Sequence, residues 1–232
     1  MQIVITMAGR SSRFLKAGYK EKKYKIEVQG KTIFWWSMRS LKNFFDKEFI
    51  FICLKEDNAI EFIYDECKSL GIKKIRVIEI DDVTDGQATT VLKAEKYIDK
   101  DFAVYNIDTY VYPNSINPNL IKGDGFIVVF KAEGSSWSFV EFDEKSKIAT
   151  RVAEKNRISE YGTIGFYYFG SMNIYRMAYD ITTKEAGERY IAPMYNSVIR
   201  DGYVYVHEIP STFLVPLGTP EDIEKLKNRY LQ

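Results

Sequence analysis

Strand and helix signals alternate through the first half of this 232-residue chain, and that alternation limits its fold more than any other feature. QIVIT (2–6), FIFICL (49–54), KIRVIEI (74–80) and FAVYNI (102–107) have strand length and are rich in β-branched and aromatic residues. Phe34, Trp35, Met38, Leu41 and Phe44 recur near the helical period across 32–43 and just beyond. Ile60, Ile63 and Tyr64 predict a second helix over 58–70, ended by Leu70-Gly71, and 88–98 predicts a third. Right-handed crossovers between such strands produce a parallel sheet.

From about residue 124 the texture changes. GFIVVFKA, SFVEFD, KIATRVAE and TIGFYYFG are strands joined by short polar turns. Helices are predicted around 172–185 and 192–200, then a strand at YVYVHEI (203–209) and an amphipathic helix from Pro220. The expected fold is α/β: a Rossmann-like, mostly parallel sheet flanked by helices, with a mixed sheet in the second half covering the mouth of the first. GFIVVFKA is the strand suited to continue the core sheet. No linker or repeat divides the chain, so 1–232 reads as a single domain with halves 1–123 and 124–232.

Composition excludes several function classes. Lys plus Arg number 33 against 32 Asp plus Glu, which argues against a basic nucleic-acid protein and against an acidic tail. Cys53 and Cys67 are too few for a disulfide framework or a cysteine zinc site and fit a reducing compartment. The apolar run before Gly9 is too short for a signal peptide, and none approaches the roughly eighteen apolar residues of a membrane span. A soluble, cytoplasmic protein is expected, with no nucleic-acid and no membrane partner. A homo-oligomer is compatible with the sequence.

The chemistry gathers in a few places. After the first strand comes AGRSSRFLKAGYKEKKYKIEVQGKTIF, and ligands of open α/β sheets bind beyond the strands' carboxyl ends. Gly9 permits close backbone approach to an anion, Ser11 and Ser12 add hydroxyls, and Arg10 and Arg13 offer guanidinium forks for phosphate oxygens. The glycine spacing of a Walker loop or a dinucleotide fingerprint is absent. Asp108 follows a buried strand at its carboxyl end, where it faces a ligand crevice. His207, the single histidine, lies in an alternating strand pattern with no serine or cysteine arrangement suggesting a hydrolase triad. Trp35 and Trp36 read as core.

AGRSSR directly after the first strand, then Lys23-Tyr24, Ile26-Glu27 and Gly30-Lys31, resembles the signature of the nucleotidyltransferase A-type family. That family includes sugar-1-phosphate nucleotidylyltransferases and related cytidylyl-, uridylyl- and guanylyltransferases. The resemblance implies Arg13 and Lys23 as catalytic residues, with Ala8, Gly9, Arg10, Ser11 and Ser12 around the nucleotide. Asp85-Gly86-Gln87-Ala88 resembles the base-reading turn, so Gly86 and Gln87 join the nucleotide set. Asp108 stands at the family's metal position, implying Mg2+. Glu154-Lys155 resembles the pair that holds sugar hydroxyls and acceptor phosphate, and Tyr161 to Tyr167 the strand whose glycine, Gly165, approaches the sugar. Trp137, in GSSWSF, is a further candidate for the acceptor pocket, and Leu217 to Asp222 resembles the family's closing Gly-Thr-Pro-Glu-Asp segment.

Three departures stand out: Lys22 replaces a proline, Ser11 or Ser12 a glycine, and Pro216 a second metal-binding aspartate. The implied activity is transfer of NMP from CTP, UTP, dTTP or GTP to a phosphorylated acceptor, first a sugar phosphate, with pyrophosphate released. Precursors of capsular or other surface polysaccharide are the expected products. The alternatives are a CTP-dependent cytidylyltransferase acting on a non-sugar or polyol phosphate, a molybdopterin guanylyltransferase, and a catalytically weak nucleotide-binding regulatory homologue.

Overall fold

The protein is described from a computed structural model covering residues 1–226. Nine strands form one sheet: β1 (Gln2–Thr6), β2 (Glu48–Leu54), β3 (Lys74–Ile80), β4 (Phe102–Asn106), β5 (Gly125–Lys131), β6 (Ser138–Asp143), β7 (Ile148–Glu154), β8 (Tyr161–Phe169) and β9 (Val204–Glu208). Their spatial order is β3-β2-β1-β4-β8-β5-β9-β7-β6. β3, β2, β1 and β4 are parallel, as the alternation predicts. β8 then inserts antiparallel between β4 and β5. β9 lies parallel to β5, β7 reverses, and β6 closes the edge antiparallel to β7.

The strands of the second half therefore extend the sheet of the first, and its mixed part is continuous with the parallel part. Burial explains this. All nine residues of β8 and the first six of β5 are buried, so both need neighbours on their edges and cover on both faces.

The helices are α1 (Ser12–Lys16), α2 (Ile33–Arg39), α3 (Ile60–Leu70), α4 (Gln87–Leu92), α5 (Met172–Ile181), α6 (Tyr195–Asp201) and α7 (Pro220–Lys225). The two-residue period of the strands sorts the core into two layers. Ile3, Ile5, Phe49, Phe51 and Tyr105 pack with Phe34 and Met38 of α2 and Ile63 and Cys67 of α3. Val4, Ile50, Ile52, Phe102 and Val104 pack on the other face with Val91 of α4, Tyr175 of α5 and Val198 of α6.

Several helices are shorter than their periodicity suggests. The pattern over 32–43 stops at Arg39, and the Ser40 hydroxyl accepts the Val111 N–H at 2.8 Å. The 88–98 pattern stops at Leu92 and ends in a 3-10 turn at Glu95–Tyr97. The 172–185 segment stops at Ile181, where the Arg189 guanidinium donates to the Tyr179 and Thr182 carbonyls at 3.2 and 2.8 Å and ends the helix as a cap. The helix expected from Pro220 is described to Lys225, and the part of that expectation beyond 226 lies outside the described residues.

Cys53 and Cys67 are free and buried, and burial pushes their thiols up to about 11 and about 12. His207 stacks on Phe126 and is held below its ordinary pKa by burial, as suits a structural residue. No helix among the described residues is long and apolar enough to cross a membrane.

Candidate active site

A cavity of about 1350 Å³ opens at the carboxyl ends of the parallel strands, where the polarity of the sheet places a ligand site. Thr6, the last residue of β1, and Asn106, the last of β4, form part of its floor.

The loop leaving β1 makes one wall. Ala8, Gly9, Arg10, Ser12 and Arg13 line the cavity, and the space beside the Gly9 Cα is open. Ser11 does not line it. Its backbone is left-handed, with φ +55°, so Ser11 and not Ser12 holds the conformation that favours glycine. Its hydroxyl accepts the Lys23 N–H at 3.0 Å and ties the loop to the segment carrying that lysine.

Lys23 lines the cavity, and its Nζ lies 2.7 Å from Oδ2 of Asp108. Burial acts to raise the Asp108 pKa, but the Lys23 ammonium, with Arg13 behind it, outweighs burial and holds the carboxyl below its ordinary value. The chain returns to the same place near its end. Leu214–Pro216 pairs antiparallel with Thr109–Val111, and the Leu217 N–H donates to the Asp108 carbonyl at 2.9 Å. Pro216, Gly218, Thr219 and Asp222 thereby line the cavity. Asp222 was not singled out by sequence as a site residue, because a carboxylate in the first turn of a helix reads simply as favourable for that helix.

The turn at 85–88 makes the second wall. Gly86 has φ +148° and ψ 172°, a region open essentially to glycine alone, and a Cβ there would lie 2.3 Å from the Arg189 carbonyl oxygen. The backbone pairs across at this point: Arg189 N–H donates to Asp85 O at 2.8 Å, and Ala88 N–H to Arg189 O at 3.1 Å. Asp85 is also paired with Lys184 at 2.8 Å and accepts from the Thr89 hydroxyl. Gly86→Ala should therefore cost at least about 1–3 kcal/mol of stability. A thermal melt checks this, and it makes Gln87 the better position for probing nucleotide choice. Gln87 Nε2 donates to Thr6 Oγ1 at 3.0 Å and to Asn106 Oδ1 at 2.9 Å, which leaves its carbonyl oxygen available to a ligand.

Glu154 and Lys155, at the end of β7, line the far side with Trp137, Ser138 and Tyr190. The Glu154 side chain is only 8% exposed. Burial raises its pKa, while the Ser138 hydroxyl, which donates to it, and the Lys155 ammonium oppose the rise. Lys155 adopts a left-handed backbone and donates to the Tyr190 hydroxyl at 2.8 Å. Trp137 packs edge-on against Phe130, and its indole N–H donates to the Glu133 carbonyl at 3.2 Å.

Gly165 is the one acceptor candidate set back from the cavity. It occupies a bulge in β8 with φ +81°, and a Cβ there would run into the Asn106 side chain, 2.3 Å from Nδ2. Its place is behind the Asn106–Gln87 hydrogen bond. Thr6, Asn106, Ser138 and Tyr190 are cavity residues that sequence reasoning left out. The strand-end rule pointed toward Thr6 and Asn106, whereas Tyr190 sits in a loop without any signature.

No family model matches the chain. The nucleoside-diphosphate-sugar pyrophosphorylase from Vibrio cholerae RC9 superposes with a TM-score of 0.89 and is 34% identical, covering 96% of this chain and 98% of its own. The chain belongs to the nucleotidyltransferase family. The chain also shares its fold with the inositol-1-phosphate CTP transferase from T. maritima, at a TM-score of 0.79, 14% identity, and coverage of 100% and 98%. The bifunctional protein GlmU of Methanococcus maripaludis is 22% identical over 235 residues, and the chain spans about half its length, 54%.

Proposed function

We propose that the protein transfers NMP from an NTP to a phosphorylated acceptor, a sugar phosphate in the first instance, and releases pyrophosphate. The observation that carries this is the Lys23–Asp108 pair, set between the Arg13 loop on one side and Glu154-Lys155 on the other within one cavity. A phosphate monoester has a second pKa of about 6 and is largely a dianion at neutral pH, so the nucleophile needs no general base. The difficulty is charge. Two like charges about 4 Å apart at an effective dielectric of about 20 repel by roughly 4 kcal/mol. Arg10, Arg13, Lys23 and Lys155 are cations lining the cavity that offset this, so catalysis rests on positioning and electrostatics.

A divalent metal suits the donor set. Among the described residues no cluster of three His, Cys, Asp or Glu side chains is arranged to hold a metal. Asp108 offers one hard oxygen ligand, which matches magnesium's habit of binding one or two carboxylates and completing its shell with phosphate and water. When bound, the metal supplies charge neutralisation at the phosphates. Asp108 would hold it, and Lys23, beside that carboxylate, would face the phosphate oxygens.

Arg13, Lys23 and Asp108 converge in space, which favours an active enzyme over a regulatory homologue. The buried Glu154 carboxylate, with Ser138 and Tyr190 beside it, suits hydroxyl groups on the acceptor. A polyol or other non-sugar phosphate used with CTP is the alternative acceptor, and a surface-polysaccharide precursor is the proposed destination of the product. Pyrophosphate release from four NTPs against a panel of sugar and polyol phosphates tests all of these. The expected result is turnover with a single base and one acceptor class, and no turnover with any pair would overturn the proposal. Glu154→Ala should raise the acceptor KM about tenfold or more, the loss of a hydrogen bond to a charged group, and leave the NTP KM within about twofold. A shift in the NTP constant alone would remove Glu154 from the acceptor site.

A further inference from the structure

Asp57 lies outside the cavity, at the end of the 3-10 turn Lys55–Asp57 that follows β2. Its side chain has no exposed surface. One carboxylate oxygen is 2.7 Å from Lys22 Nζ, and the other accepts from the Tyr24 hydroxyl at 3.1 Å. Lys22 and Tyr24 flank Lys23, whose own side chain projects the opposite way, onto Asp108. Tyr24 is itself buried against Phe62, and its phenol is raised well above the ordinary range by burial, then by the Asp57 charge. Lys23 is thus held at three points: its amide by Ser11, and each chain neighbour by one oxygen of the same carboxylate.

A buried ion pair is a poor source of stability, since desolvating the two charges offsets most of their attraction. What such a pair supplies is a fixed geometry. We propose that Asp57 is a positioning residue for Lys23, clamping residues 22 and 24 so that the Lys23 ammonium is delivered to the carboxyl end of β4. The departure at Lys22, where the sequence resembles a family with proline, follows from this: a proline stiffens the backbone before the lysine, and here an ion pair holds it from outside. The inference rests on the catalytic role proposed for Lys23.

A double-mutant cycle on the full chain tests it. Asp57→Asn keeps the shape and an acceptor for Tyr24 but removes the buried charge 2.7 Å from Lys22, leaving that ammonium only the exposed Glu56 carboxylate at 3.6 Å. It should lower kcat about tenfold with the NTP KM within about threefold, and in a Lys23→Ala background it should change kcat by less than twofold. Multiplication of the two losses, or unchanged kcat in Asp57→Asn, would overturn the proposal. Should Asp57→Asn fail to fold, Tyr24→Phe removes one arm with the packing retained. It should lower kcat about threefold, again only when Lys23 is present, and an unchanged or multiplied kcat would overturn the proposal equally. A second readout needs no activity: acetic anhydride labelling of Lys23, read by peptide mass spectrometry with Lys47 as the reference. In whichever of the two variants folds, the Lys23 rate should rise severalfold as the Lys23–Asp108 pair loosens, and an unchanged rate counts against the clamp. An inactive wild type would therefore count against the proposed reaction, while the labelling still decides the role of Asp57.

Discussion

Lys23→Ala should turn over at least about a hundredfold more slowly than the wild type, each power of ten being worth about 1.4 kcal/mol of barrier. The lysine is the cation nearest Asp108, at 2.7 Å, and the proposed reaction brings a second polyanion onto a triphosphate at that spot. Alanine removes the charge, and water entering the vacated space screens the phosphates far less well than a fixed ammonium in a partly dry site. The fold should survive, because Lys23 makes its single ion pair at the cavity surface, with its side chain 23% exposed. A thermal melt within a few degrees of the wild type, together with the fall in turnover, is the expected pair of results. Near-normal turnover in a folded Lys23→Ala protein would remove this lysine from the mechanism.

Asp108→Asn should abolish most activity even at high magnesium, since it keeps the shape of the side chain and removes the charge. Asp108, the one carboxylate proposed for the metal, is already paired with Lys23, and Pro216 lines the cavity where the family resemblance leads one to expect a second acid. Magnesium should bind weakly without nucleotide and tightly with NTP, whose phosphates complete the coordination. Calorimetry checks this directly. Tight binding to the nucleotide-free protein would show a second acidic ligand, and Asp222, which lines the same cavity, would be the first to replace. An active Asp108→Asn enzyme would overturn the metal assignment itself.

Most of the candidate site was legible because its residues fall at strand ends and turns, whose chemistry is local. Arg13, Lys23, Gly86, Gln87, Asp108, Glu154 and Lys155 all line one cavity. The exceptions have a common cause. Ser11 and Gly165 support the site from behind, since their roles depend on φ values and on partners distant in the chain: the Lys23 amide for Ser11 and the Asn106 side chain for Gly165. Tyr190 belongs to the loop after α5, and only its pairing with the 85–88 turn brings it to the cavity.

The sequence by itself determined the four parallel strands, the helices between them, and the order of the motifs along the chain. Each of these is set by neighbours within a few residues: short apolar runs for β1, β2 and β4, alternation for β3, helical period for α2 and α3, turn residues between them. Only the tertiary structure decided which strands pair. Periodicity fixes the face a residue turns to the core but not the strand beside it, so the insertion of β8 between β4 and β5 was out of reach. The same holds for Lys22. Its local sequence is a run of charges, and the carboxylate that neutralises it is 35 positions away, brought near only when β2 lies beside β1. Long-range burial selects those partners, and it is through them that a solvated-looking basic segment becomes the mount of the candidate catalytic lysine.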